Sequence, residues 1–166
     1  MRSSVSFAIL LACLSPAALA GQSEQISAQA KAQSIHARAL VLDTHLDTPL
    51  LFARPGWDIM DRHSADADFS YVDYPRMVDG GLDGGFWVIW TAQGERDLAG
   101  KRKARDAGLK RLAEIREMVA ANPDTFELAT TAGDAARIKA AGRKSVYISM
   151  ENAYPLEQDP SLLSYY

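Results

Sequence analysis

From residue 39 onward the chain alternates short apolar runs with longer segments in which apolar residues recur at three- and four-residue steps. Residues 39–44 (A-L-V-L-D-T) form a continuous apolar run that ends in polar residues, the pattern of a buried strand in a parallel sheet. Residues 84–91 (G-G-F-W-V-I-W-T) carry aromatic and β-branched side chains behind two glycines and predict a second strand, and residues 145–150 (S-V-Y-I-S-M) predict a third main strand. The strongest helical period spans residues 99–121: Leu109, Leu112, Ile115, Met118 and Val119 are separated by Lys, Arg and Glu, and Asn122-Pro123 ends the run. Shorter elements fill the gaps: a helix over 76–79 stopped by Gly80-Gly81, a strand over 126–129, and a helix over 132–141 with Thr131 as cap and Gly142 as stop. A last helix would start at Asp159 or Ser161. The Ala-rich segment 24–40 suits a helix on the outside of a body, whereas residues 51–74, with Arg54-Pro55-Gly56, many Asp and no sustained period, read as a long functional loop.

Strands alternating with helices argue for parallel βαβ units in an α/β fold, and about three such units fit. A closed (β/α)8 barrel takes about 250 residues, so the chain reads either as a small open α/β domain or as the first part of an incomplete barrel. Its opening residues refine the count. Met1-Arg2, an apolar run over 5–13, Pro16 and Ala18-Leu19-Ala20, followed by polar Gly21 to Gln25, have the layout of an export signal cleaved after Ala20. The apolar run is shorter than the roughly 20 residues of a membrane-spanning helix. This reading assigns residues 1–20 to a signal peptide and 21–166 to the domain, with a periplasmic location. The alternative is a lipid anchor at Cys13, which closes the sequence L-L-A-C. Removing the signal takes away Arg2 and the one Cys, leaving 17 of the 18 basic residues against 21 acidic ones. An exported chain without disulfides depends on core and metal. Charges of both signs are mixed throughout, which gives no nucleic-acid or membrane-surface signal and leaves a small molecule as the expected partner.

The chemistry begins where the first strand runs out. In His45-Leu46-Asp47, residues two apart in an extended chain point to the same face, so an imidazole and a carboxylate converge. Both are ordinary Zn2+ ligands. The competing reading is that His45 closes a strand and Asp47 starts a turn before Pro49. Glu151 ends the third main strand as His45 ends the first. In a barrel, inward side chains of alternate strands share a layer, and a carboxylate there can bridge two metal ions. Its competing reading is a solvated strand end.

Three segments in order decide between these readings: V-L-D-T-H-L-D-T-P-L (41–50), D-Y-P-R-M-V-D-G-G-L-D-G-G-F-W-V-I-W-T (73–91) and Y-I-S-M-E-N-A-Y-P-L (147–156). Together they resemble the membrane (renal) dipeptidase family in its bacterial exported branch, over most of residues 36–166. The resemblance implies a metal-dependent-hydrolase (β/α) barrel, of which this chain would be the N-terminal part. It also implies zinc-dependent hydrolysis of a dipeptide by a metal-bound hydroxide at a binuclear centre. His45 and Asp47 would bind one zinc and Glu151 would bridge both, while the family's remaining ligands, histidines and a late Asp, lie on later strands. An inactive isolated chain, and a general acid/base beyond residue 166, are the corresponding expectations, with the substrate-binding residues left unassigned. One departure is local: relatives carry glycines after the bridging Glu, where this chain has Asn152-Ala153.

The other polar and aromatic residues take lesser roles. His36 reads as surface and His63, in the long loop, as a residue that could approach substrate. Asp43 shares a face with His45 and could orient its ring. Trp87 and Trp90 read as core more than as pocket lining, and Lys101-Arg102-Lys103 as a solvated face. Two rival functions remain: another amidohydrolase, although such enzymes open with H-x-H more than H-x-D, and an inactive metal-binding fragment.

Overall fold

A computed structural model describes residues 16–157 and 159–166. Residues 1–15, which hold most of the expected signal peptide and Cys13, lie outside the described residues. The chain divides into two units, Met1–Arg38 and Ala39–Tyr166. In the first, helix α1 (Pro16–Arg38) runs unbroken through the expected cleavage junction at Ala20. Among the described residues no helix is long and apolar enough to cross a membrane.

The second unit is a parallel sheet whose crossovers position the site. Strand β1 (Leu42–Leu46) leads into a 3-10 turn (Thr48–Leu51), short helices α2 (Ala65–Asp68) and α3 (Tyr74–Asp79), and strand β2 (Gly84–Trp90). Helix α4 (Leu98–Ala121), strand β3 (Phe126–Leu128), helix α5 (Asp134–Ala140) and strand β4 (Lys144–Glu151) follow, with 3-10 turns at Tyr154–Leu156 and Pro160–Tyr165. All strand pairings are parallel, in the order β1-β2-β4-β3.

Register and the period of two divide the sheet into two faces. Trp87, Ile89, Val146 and Phe126 share one face and pack against Leu112, Ile115 and Met118 of α4 in the core. Trp87 is fully buried, ring to ring with Phe52 at 6.0 Å and edge-on to Phe126 at 5.9 Å. The helix buries Ala104, Gly108, Leu112, Ile115 and Met118; Leu109, expected in this stripe, is exposed. Small residues at 104 and 108 admit the Tyr154–Leu156 turn, since a side chain on Gly108 would meet Pro155 Cβ at 3.1 Å. The opposite face carries Phe86, Trp90, Tyr147 and Glu151, with Phe86 and Tyr147 stacked at 5.0 Å.

Strand β1 differs from expectation. It starts at Leu42, not at residue 39, and lies at the sheet edge with Asp43, Thr44 and His45 exposed. The preceding backbone is tied elsewhere: Val41 N–H donates to Asp83 Oδ2 at 2.9 Å and Lys139 Nζ to Ala39 O at 2.6 Å. The cap of α5 also differs. Gly133 holds the N-cap position with no side-chain cap bond, and Asp134, the first helical residue, reaches back to accept from Thr130 N, Thr131 N and Thr131 Oγ1. The hydrogen bond from Arg137 first, and then these bonds, hold its carboxyl far below the usual carboxylate range.

The 51–74 segment is a hydrogen-bonded knot. His63 Nδ1 lies 2.7 Å from Asp68 Oδ2 and Nε2 lies 2.7 Å from the Asp58 carbonyl, while its ring stacks on Trp57 at 4.7 Å. Both partners accept only, so the pair of contacts is satisfied by the doubly protonated ring. Desolvation pulls this imidazole down, but the Asp58 carbonyl and the Asp68 and Asp73 carboxylates outweigh it and raise its pKa above 6.5. Buried Asp73 accepts from His63 N, Arg76 N and Arg76 Nε.

Candidate metal centre

His45 reaches the site through an irregularity, not through simple alternation. Leu42 and Asp43 pair with Gly84 and Gly85, but Leu46 pairs with Trp87, so β1 holds one extra residue between Asp43 and Leu46. Leu46 is thereby buried on the core face while His45 projects outward. Asp47 has already left the strand at φ −82° and ψ 1° as the N-cap of the Thr48–Leu51 turn. That turn is held down by buried Thr48 and Pro49 and by Arg111, which donates to the Pro49 carbonyl and pairs with Glu114 at 2.7 Å. Asp43 does not orient the His45 ring. Its Oδ1 accepts from the His45 backbone N–H at 2.8 Å and fixes the bulge instead.

Glu151 is the last residue of β4, in register with Trp90. The next residue, Asn152, has φ 65°, a left-handed conformation that glycine adopts freely and asparagine tolerates better than most residues. Its Nδ2 donates to Thr91 O at 3.1 Å and its Oδ1 accepts from Tyr154 N at 3.1 Å, so the side chain itself secures the corner.

These two constructions bring three ligand atoms together. His45 Nε2 lies 3.5 Å from Asp47 Oδ1 and 3.2 Å from Glu151 Oε2. One donor atom from each residue lies within 4.8 Å of the others. The contributing strands are not neighbours: β1 and β4 flank β2, so the side chains meet above its end. Two carboxylates and an imidazole lone pair converging in this way favour a cation between them, and the set matches the nitrogen and oxygen donors of zinc sites.

The remaining expected residues take separate places. His63 faces into its own loop and does not approach the three ligands, because both ring nitrogens are engaged there. Trp87 is core, as expected; Trp90 is partly exposed at the strand end beside Glu151. His36 lies on α1, and Arg102 and Lys103 are exposed on α4. Sequence reasoning missed Phe69 and Tyr71, which share a cavity of about 450 Å3 with Asp43, His45, Asp47 and Leu50. The available signal was the F-S-Y triplet that follows the polar run 61–68.

A parallel βα scaffold with an H-x-D pair and a Glu gathered at its strand ends is a partial α/β barrel with a candidate metal centre. The chain belongs to the membrane dipeptidase family, peptidase family M19, whose model matches residues 29–166. Members of this family are metallopeptidases that act as dipeptidases. The dipeptidase ataJ of Aspergillus terreus is 29% identical over 139 residues, covering 80% of this chain and 34% of that protein. Among solved structures, the probable dipeptidase PvdM from Pseudomonas aeruginosa is 25% identical with a TM-score of 0.71, over 81% of this chain and 33% of that one. A metallopeptidase from Rhodobacter sphaeroides, solved with a phosphinate mimic of the dipeptide L-Ala-D-Ala, shares the fold at 22% identity and a TM-score of 0.60, over 75% of this chain and 42% of that one. The chain thus spans about a third of the length of the first two relatives.

Proposed function

We propose that this chain carries the first metal ligands of a zinc-dependent dipeptidase: His45, Asp47 and Glu151. The observation that carries the reading is the convergence of their donor atoms within 4.8 Å at the C-terminal ends of two parallel strands. That end is where barrel enzymes hold their chemistry. A bound divalent ion supplies Lewis acidity there, lowering the pKa of a water and polarising a carbonyl. The chain's own part is to hold the donors. Asp43 fixes the backbone of His45, the Thr48–Leu51 turn fixes Asp47, and Asn152 fixes the strand end behind Glu151. A catalytic zinc takes about three protein ligands and keeps an open position, so a two-ion centre needs donors beyond these three. We infer that dipeptide hydrolysis requires further ligands of the kind the family places on later strands.

The test is calorimetric titration of Zn2+ into the chain and into His45→Ala, with dipeptide cleavage assayed for this chain and for a version continued through later barrel strands. Weak Zn2+ binding that drops at least tenfold in the variant, with turnover confined to the longer version, is expected; outer-shell losses alone reach about 10–100-fold. Identical Zn2+ binding by the variant would remove the assigned ligand, and robust turnover by the 166-residue chain would remove the need for later donors. Export is proposed from the opening sequence: mass spectrometry of the periplasmic protein should give Gly21 as its first residue, and an acylated Cys13 would establish the lipid anchor instead.

A further inference from the structure

Phe69 and Tyr71 are 74% and 73% exposed, while Ser70 between them is fully buried. The two rings, one residue apart, present adjoining apolar surface, and the backbone displaying them is built to be rigid. Arg54 Nη1 donates to Asp68 O at 2.6 Å, Arg76 Nη2 to Ser70 O at 2.7 Å, and Trp57 Nε1 to Ser70 Oγ at 2.7 Å. Ser70 N–H donates to Asp68 Oδ1 at 2.9 Å, and Asp68 Oδ2 is held by His63. The residues before and between the rings are thus pinned inward and the rings point out. Phe69 itself has φ 60° and ψ 24°, a left-handed conformation that a bulky side chain adopts only when its surroundings impose it.

Both rings line the cavity that contains His45 and Asp47. Its volume, about 450 Å3, falls within the range of small-ligand pockets. The cavity therefore sets the ligands His45 and Asp47 beside an apolar lining of Leu50, Leu51 and the two rings, which matches a molecule with a polar reacting centre and an apolar appendage.

We propose that Phe69 and Tyr71 form an apolar subsite that takes a hydrophobic side chain of the dipeptide and so selects bulky over small substrates. The inference rests on the dipeptidase reading above, but its measurement is separate. Calorimetry of the Zn2+-loaded chain with Leu-Leu and Gly-Gly should give a preference for Leu-Leu of about tenfold or more, since one methylene in an apolar pocket is worth about 10–200-fold. The double variant Phe69→Ala, Tyr71→Ala should bring the ratio near one and leave Gly-Gly binding within about twofold of the original. Phe69→Gly supplies the control for folding: it deletes the ring but suits the left-handed backbone, so it should melt no lower than the parent and still lose selectivity. A parent chain with no measurable preference, at whatever absolute affinity, overturns the subsite, as does an unchanged ratio in the double variant. Failure of the dipeptidase reading looks different: Zn2+ binding indifferent to His45→Ala, with the Leu-Leu preference and its loss in the double variant intact.

Discussion

Gly85 sits where β1, β2 and β4 are held together, and replacing it tests whether sheet spacing sets the metal centre. It is in register with Asp43 on one side and Val146 on the other. A Cβ at this position would lie 2.5 Å from the Asp43 carbonyl oxygen and 2.9 Å from Leu46 Cδ1, whereas ordinary contact begins at 3.4 Å. The first obstacle is backbone, so no rotamer change relieves it. In Gly85→Ala, β1 must retreat by roughly 1 Å, and overpacking of this kind costs about 1–3 kcal/mol. At on the order of 4 °C per kcal/mol, the melting temperature should fall by about 4–12 °C. The retreat carries His45 with it while Glu151 stays on β4, opening a contact that is now 3.2 Å. Metal–ligand distances tolerate about 0.2 Å, so Zn2+ affinity should drop about tenfold or more. Thermal melts and Zn2+ calorimetry measure the two effects. Gly94→Ala is the control, because its Cβ would meet only Tyr154 Oη at 3.6 Å. A Gly85→Ala chain that melts and binds Zn2+ like the parent would refute the argument that strand spacing sets the site.

Two further outcomes follow from the core and the loop. Trp87→Ala, at a fully buried position, should lose about 3–5 kcal/mol in denaturant titrations. Trp87→Phe should lose less, because it also removes a buried indole N–H that has no partner among the described residues. His63 has a folded-state pKa raised above 6.5, so its contribution to stability is fully present below that pH and is lost as pH rises through the folded value. Melting curves recorded upward from pH 6.5 should fall for the parent and stay flatter for His63→Ala; parallel curves would refute the doubly hydrogen-bonded imidazolium.

The elements with the strongest local signal were legible in the sequence. The helix expected over 99–121 is Leu98–Ala121 and the strand expected over 84–91 is Gly84–Trp90, because period and propensity agree there with the tertiary contacts. The first strand was misplaced because Ala39 and Val41 spend their backbone groups on Lys139 and Asp83, partners 100 and 42 residues away that no local pattern reveals. The cap at Thr131 was misread for a similar reason: Asp134, inside the helix, reaches back to two preceding amides. His45 and Asp47 were expected to converge by alternation. They converge instead through an extra residue in β1 and a turn that starts at Asp47. His63 looked available for substrate only because its two acceptors, five residues away on either side, carry no spacing rule.

The position of the three ligands on either side of β2 has a consequence for how site and substrate selection divide. Neighbouring strands lie about 4.8 Å apart, so β1 and β4 are separated by roughly twice that, and His45 and Glu151 must lean toward each other over the end of β2. Their contact therefore depends on the spacing across three strands. That spacing is set by Gly84 and Gly85, since a side chain on Gly84 would run into the backbone of Ser145 on β4 just as one on Gly85 would run into Asp43 on β1. The aromatic rings of Phe69 and Tyr71, by contrast, hang on a loop whose fixing bonds come from Arg54, Trp57, His63 and Arg76 and involve none of the three ligands. Changes in the glycines should therefore alter metal affinity for every substrate equally, and changes in the rings should alter the ratio between substrates at constant metal affinity. A double variant, Gly85→Ala with Phe69→Ala, should show the two losses adding, because the bonds that fix the loop and the glycines that space the strands have no residue in common. Strong non-additivity would mean that the loop and the strand ends form one mechanical unit.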